Sequence, residues 1–169
     1  MDAERDRLVA DLATILEVSR AMGAERDLGR LLDLIVSATT TLIEADRTSL
    51  FLVDAERHEL WTTIAQRSTA IRLPLGRGIA GRVAETGETV NITDARNDPR
   101  FDPDNDRKTG YATRSILCMA LRNHQGTIVG VIQALNKRGG NPFSDYDEQV
   151  LSALCAQAAV AIETARLIA

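Results

Sequence analysis

An α+β fold, built as a central antiparallel sheet with helices from both chain ends on one face, follows from three observations on this 169-residue chain. Apolar residues recur at helical spacing near both termini, apolar strand-like runs bounded by turn residues fill the middle, and a long Asp- and Asn-rich stretch interrupts them. The layered arrangement this predicts is an α/β sandwich, with the terminal helices on one sheet face and the polar stretch on the other.

The elements read in order. Leu8, Leu12, Ile15, Leu16 and Met22 stand at helical spacing, and Gly23 is expected to stop that helix. A second helix carries Leu28, Leu31, Leu32, Ile35, Val36, Thr39, Leu42 and Ile43 on one face. Residues 48–53 read as a buried strand, 54–57 as a turn, and 59–64 as the hairpin partner. A short strand over 71–73 stops at Pro74, and the glycines Gly76, Gly78 and Gly81 open a short helix that ends at Gly87. Val90, Asn91 and Ile92 form another short strand. The polar stretch 93–110, which contains Pro99 and Pro103, is long for a structureless connection, and connections of that length tend to carry function. Strands over 115–121 and 128–135 follow, joined by a turn at 122–126. In Ser144, Asp145, Tyr146 and Asp147 a capping pattern, with Asp where Glu is usual, starts a last helix that runs through Leu167. We divide the chain into an N-terminal linker or dimerisation helix (1–22) and one domain (23–169) that includes a C-terminal signalling helix.

Composition narrows the function classes. Hydrophobic residues at 44% and charged residues at 26% describe a folded chain rather than a disordered one. A formal charge of −4, with no Lys/Arg-rich run, speaks against nucleic acid as a partner. No apolar stretch reaches the roughly 18–20 residues that span a bilayer, and the charged start Met1, Asp2, Ala3, Glu4, Arg5 lacks a signal-peptide core, so a cytoplasmic location without a membrane is expected. Cys118 and Cys155 sit in apolar contexts without metal-ligand spacing, which fits a reducing compartment. His58 and His124 each fall in a hairpin turn, too far apart in kind and place for a hydrolytic metal centre; no metal, no cofactor and no catalytic residue are expected. The sequon at Asn91 is read as chance, and the string Gly76-x-Gly78-x-x-Gly81 is no dinucleotide fingerprint, because Pro74 breaks the strand before it and no βαβ unit follows.

The residues that carry chemistry lie elsewhere. Asn136 and Lys137 end an apolar strand; five residues later comes Phe143, and after three more come Asp147 and Glu148 at the start of a helix. Lys137 and Asp147 are placed to form an ion pair that pins the strand end to that helix, and Asp147 and Glu148 together suit the positive end of its dipole and pair with Lys137. The helix that opens at Gly78 presents free backbone N–H groups, a natural seat for an anion, and glycine lets a ligand approach closely. In the last helix Leu151, Leu154, Ala158, Ala161, Ala165 and Ile168 alternate three and four apart, a coiled-coil-like seam; Leu151 and Leu154 are assigned to the domain's own sheet, and the part from Ala158 onward to the N-terminal helix or a second subunit.

The set Asn136, Lys137, Phe143, Asp147 and Glu148 resembles the NKFDE signature of GAF domains, the sensor modules of cyclic-nucleotide phosphodiesterases and adenylyl cyclases. The likeness runs from about Leu28 onward. It is closest over 78–88 and 91–95, continues through 98–101 and 109–118, and is nearest to the cyclic-nucleotide-binding members. What the resemblance implies is a ligand pocket on the sheet face away from the terminal helices, with nucleotide contacts from Ser49, Ile79, Ala80, Asp106, Thr109, Thr113 and Gln133. On that reading Ser49 meets the base, Ile79 and Ala80 give phosphate-facing amides and an apolar wall, Asp106 positions a ribose or base donor through its carboxylate or its backbone, Thr109 and Thr113 donate to phosphate or sugar, and Gln133 both donates and accepts. The NKFDE residues shape the pocket in that family rather than touch the ligand. Two departures stand out: a Phe-Asp pair of some relatives corresponds to Ala65 and Gln66, and Gln133 replaces an acidic residue. Both cAMP and cGMP stay open, with a lean to cAMP from likeness to cyclase modules. The expected partners are the nucleotide, a second copy in a parallel homodimer, and an output domain; the alternative is a ligand-free module that only dimerises.

Overall fold

The computed structural model describes residues 2–63 and 70–168. In chain order the elements are α1 (Asp2–Ala24), α2 (Leu28–Leu42), β1 (Ala45–Asp54), β2 (Glu59–Thr63), β3 (Ala70–Pro74), α3 (Gly78–Thr86), β4 (Val90–Ile92), α4 (Asp104–Thr109), β5 (Ile116–Arg122), β6 (Ile128–Lys137) and α5 (Asp145–Ile168). The strands make one sheet of six in the order β3-β2-β1-β6-β5-β4, with every neighbouring pair antiparallel. Ala65 and Gln66 lie outside the described residues.

Period-two alternation sorts the side chains into two layers. Leu50, Leu52, Leu117, Met119, Leu121, Ile132 and Ala134 point to the layer of α1, α2 and α5, where they meet Leu31, Ile35, Leu151, Leu154 and Ile162. Their neighbours Phe51, Ile116, Cys118, Ala120 and Val131 point the other way, to Val83 and Ala84 of α3 and to Ala95 in the stretch that follows β4. The expected α+β sandwich, with terminal helices on one face, is the fold observed.

Several local expectations change. α1 runs past Gly23 to Ala24, since a glycine in the last turn costs only about 1 kcal/mol and nothing crowds it. The polar stretch after β4 is not all loop: it holds a 3₁₀ turn (Ala95–Asn97) and α4, which Gly110 closes in the left-handed conformation at φ 77°. The α5 seam, by contrast, meets the first of its two expected partners, the N-terminal helix: Ala158 and Ala165 are buried with Ile15 and Met22 of α1. What stays exposed on the outer helices is Leu8, Val9, Leu12 and Leu16 on α1 and Val160 and Leu167 on α5.

Alternation also breaks at the end of β6, and there the cause is one backbone conformation. Asn136 takes φ +57°, a left-handed conformation that asparagine tolerates better than most side chains. Continued from Val131, Gln133 and Leu135, a regular strand would aim Lys137 at the α3 side. The left-handed residue reverses this, and Lys137 enters the helix side instead. The Asn136 side chain turns toward the segment before β5, accepting the N–H groups of Arg114 (2.6 Å) and Ser115 (3.2 Å) and donating to the Ala112 carbonyl (2.9 Å).

Replacing Asn136 by Gly, which keeps the backbone and drops these bonds, is expected to cost about 2–3 kcal/mol in urea unfolding. Replacing it by Ala is expected to cost about 1 kcal/mol more, because the Cβ penalty of the left-handed region is added. Equal losses for the two variants would show that the backbone conformation carries none of the effect.

Candidate functional site

Sheet register places a polar break in the α3 face. Ser49 of β1 lies opposite Gln133 of β6, and Gln133 lies opposite Cys118 of β5, which pairs in turn with Val90 of β4. β1 and β6 are the two central strands, yet Ser49 and Gln133 are only half-buried while Phe51 and Val131 beside them are covered. A hydroxyl and an amide thus stay partly open to solvent at the centre of the sheet. α3 stands over the same face with Ala80 buried and Ile79 half-buried. Its N-terminus has no side-chain cap, so its first N–H groups keep their capacity for an acceptor. Gly81 allows the close seating of α3: a Cβ there would lie 2.9 Å from the Pro74 carbonyl oxygen.

Asp106 and Thr113 form the second half of the site, and they are bonded to each other. The Asp106 carboxylate accepts the Thr113 N–H at 2.7 Å and the Thr113 hydroxyl at 2.8 Å, and Thr113 is buried. The carboxylate, one of the two routes by which Asp106 is expected to meet a nucleotide, thus ties α4 to the segment that enters β5. Thr109, at the exposed end of α4, accepts the Tyr111 N–H at 3.3 Å.

Two openings flank these groups. The smaller, about 160 Å³, is lined by Gly76, Gly78, Ile79, Arg82, Val90 and Arg100. That lies below the roughly 300–1,000 Å³ of typical small-molecule sites. The larger, about 590 Å³, is shallow and bordered by Phe101, Asp106, Arg107 and Tyr111. Of the predicted contacts, Ile79 lines the first and Asp106 the second, while Ser49, Ala80, Thr109, Thr113 and Gln133 line neither. Arg100 forks onto Asp98 at 2.7 and 3.0 Å, and that hydrogen-bonded guanidinium holds the Asp98 carboxyl down at about 2.

Behind the site, Lys137 is a knot between layers. Its Nζ donates to the Ile43 carbonyl at 2.9 Å and to Asp147 Oδ1 at 3.0 Å, with Lys137 13% and Asp147 1% exposed. Asp147 Oδ2 also accepts the Ser144 N–H (2.9 Å), while the Ser144 hydroxyl accepts the Asp147 N–H (3.1 Å), a reciprocal cap on α5. Phe143 is buried in the helix-side core. Glu148 does not join the pair. It accepts the Asn91 amide at 2.9 Å and so anchors the edge strand β4, whose Asn91 also donates to the Phe143 carbonyl. The sequon asparagine is thus spent inside the fold.

Tyr111 was missed as a site residue by sequence reasoning. Its hydroxyl donates to Asp46 and accepts from the Asn136 amide at 3.0 Å, and the Arg47 guanidinium covers its ring at 4.0 Å. No spacing in the sequence links residues 46 and 47 with 111; only the fold does. Burial, then the Asp46 hydrogen bond, push the phenol up to about 12. Tyr146, hydrogen-bonded to Asp11, is pushed up to about 12 for the same reasons in the same order. Both cysteines are buried; desolvation raises the Cys118 thiol far above its usual range and Cys155 to about 12, so neither presents a thiolate near neutral pH. His58 and His124 are exposed, and no cluster of metal-ligating side chains occurs among the described residues.

Comparison with known proteins gives one family. The model of the GAF domain matches residues 27–162. The chain is 39% identical over 168 residues to a dual 3',5'-cyclic-AMP and -GMP phosphodiesterase 11A of Takifugu rubripes, a match covering 91% of this chain and 19% of that protein. It therefore spans about a fifth of that relative's length. Among solved structures, the GAF domain of a phosphoenolpyruvate-protein phosphotransferase from Coxiella burnetii superposes with a TM-score of 0.80 at 23% identity, covering 93% of this chain and 95% of that one. The free methionine-R-sulfoxide reductase of Neisseria meningitidis, solved with its substrate, superposes at 0.74 with 19% identity over 92% of this chain and 90% of that one. These two likenesses speak for the fold alone.

Two outcomes are expected from this geometry. Lys137→Met leaves the Asp147 carboxylate buried without its cation and should lower the unfolding free energy by about 3–5 kcal/mol, read as an earlier urea midpoint. The two tyrosines should stay protonated in the folded chain at pH 11, where an unfolded phenol is mostly ionised. A phenol whose pKa is raised on folding contributes stability that is full below about pH 10 and lost as pH climbs toward 12. Ultraviolet titration with parallel circular dichroism checks both the ionisation and its link to unfolding.

Proposed function

This chain belongs to the GAF domain family, and from that premise we propose that it is a regulatory sensor module that binds a cyclic nucleotide, cAMP or cGMP, on the α3 face. The observation that carries the reading is the open polar pair Ser49–Gln133 on the central strands, beneath a helix whose N-terminal amides lack a cap. A cyclic nucleotide presents complementary parts: one phosphodiester charge for the α3 amides of Ile79 and Ala80, and a flat polar base for the hydroxyl and amide. The relative named for action on both cyclic nucleotides supports the same ligand class. Gln133 donates and accepts alike, so it discriminates little between base edges, and the choice between the two nucleotides is left to the rest of the cleft.

In this reading Thr109 edges the sugar and phosphate, and the bonded pair Asp106–Thr113 holds α4 in place beside them. The module binds its ligand without transforming it and passes occupancy through the terminal helices to an output domain. A parallel homodimer is part of the proposal, supported by the apolar side chains Leu8, Val9, Leu12 and Leu16 that α1 leaves exposed. The same exposed stripe favours the second reading, a module that dimerises without any small ligand.

Thermal unfolding with cAMP, cGMP and the linear 5'-monophosphates, on protein verified free of nucleotide, separates the two. A ligand at about one hundred times its dissociation constant adds roughly 2.7 kcal/mol and should raise the melting temperature by about 5–10 °C. Ser49→Ala with Gln133→Leu should abolish that shift and leave the ligand-free melting temperature within a few degrees. Absence of a shift with every nucleotide, together with a dimer by sedimentation, would replace the sensor by the dimerisation module.

A further inference from the structure

The first half of α1 is held to the domain by one polar clamp. The buried residues of α1, Ile15 and Met22, lie in its second half. Before them, the polar contacts of α1 with the rest of the described residues run through Arg7 and Asp11. Asp11 accepts the Tyr146 hydroxyl, the Arg7 guanidinium lies 4.6 Å from the Tyr146 ring centroid, and Arg7 reaches Glu44 at 3.4 Å. Tyr146 and Glu44 are the chain neighbours of Asp147 and Ile43, the two groups to which Lys137 donates. The clamp and the Lys137 knot therefore engage neighbouring residues of the same two pieces of chain.

The contacts continue toward the candidate site without a gap. Lys137 follows Asn136, whose amide holds Arg114 and Ser115; the residue before Arg114 is Thr113, which is bonded to Asp106 of α4. We propose that this clamp is where the pocket side governs α1: the first half of α1 exchanges between a clamped and a released state, and the seating of α4 sets the balance. The clamp needs Tyr146 and Glu44 in fixed register, since a hydrogen bond to Asp11 and an ion pair to Arg7 weaken steeply when their partners move by an ångström. A shift of the 113–115 segment reaches them through the Asn136 side chain, which binds that segment, and through the next residue, Lys137, which donates to the Ile43 carbonyl and the Asp147 carboxylate. Release frees Leu8, Val9 and Leu12 from a fixed orientation, which changes the surface α1 offers to any partner. The identity of the trigger rests on the sensor reading above; the coupling itself does not.

Hydrogen exchange of the full chain, followed by mass spectrometry over residues 2–14 and 15–24, tests it. Tyr146→Phe keeps the ring and removes the bond to Asp11; exchange over 2–14 should quicken roughly tenfold, the size a charge-assisted hydrogen bond implies, with 15–24 and β5 unchanged. Asp106→Ala, which touches nothing on α1, should quicken the same segment in the ligand-free protein. Should that variant fail to fold, Thr113→Val, which removes one of the two latch bonds, takes its place. Unchanged exchange over 2–14 in Tyr146→Phe overturns the clamp, and a response to Tyr146→Phe but not to the α4 variant overturns the coupling. Where cAMP or cGMP gives a thermal shift, that nucleotide should alter exchange over 2–14 and Tyr146→Phe should remove the change. Binding with no change in 2–14 counts against the coupling. Failure of both nucleotides to bind sinks only the sensor reading, because the α4 variant reads the coupling in empty protein.

Discussion

One backbone reversal organises this domain. At Asn136 the last strand steps into the left-handed region, and two consecutive side chains then serve opposite layers. Asn136 binds the segment that enters β5, and Lys137 joins the end of α2 to the start of α5. Without the reversal, the ammonium would sit on the α3 side and Asp147 would be buried without a counter-ion. The sheet would still form, because its alternating apolar faces drive that. What would be lost is the fixed relation between the helix layer and the pocket side.

The two faces of the sheet have different physical tasks. The helix side is packed throughout, with small residues Ala158, Ala159 and Ala165 letting α5 lie close to α1 and α2. The α3 side carries a smaller core that Ser49 and Gln133 interrupt. A tightly packed layer backs a partly open one. On the open side α4 is slight: it has six residues and is tied down through Asp106 and the turn at Gly110.

Much of this was legible in the sequence, for identifiable reasons. The signature residues Asn136, Lys137, Phe143 and Asp147 could be read because their spacing is local to one strand, one turn and one helix start. The opposite facing of Leu50 and Leu52 against Phe51 was not legible, because 48–53 reads as one apolar strand covered on both sides. The short helix α4 was not legible, since Asp104, Asn105 and Asp106 after Pro103 have loop-like composition and six residues cannot show a period. Glu148 was misassigned to Lys137 because adjacency in sequence suggested shared work, whereas successive helical positions point about 100° apart and Glu148 meets Asn91 instead. The Asp106–Thr113 bond was hidden because both residues looked like ligand contacts; that they satisfy each other depends on how α4 folds back. Tyr111 with Asp46, and Tyr146 with Asp11, lie 65 and 135 residues apart and leave no local trace.

Glu44 holds a further consequence. It too is left-handed, at φ +54°, a conformation that costs a side chain of its kind about 1–2 kcal/mol and that glycine adopts freely. Its backbone carbonyl accepts the Arg138 N–H beside the strand end, and its carboxylate receives Arg7. A designer seeking a sturdier scaffold would put glycine here and gain stability. The same change would delete the acid that α1 docks against. Robustness and responsiveness thus compete at a single codon, and variants selected for heat resistance alone should drift toward a domain that folds well and signals poorly.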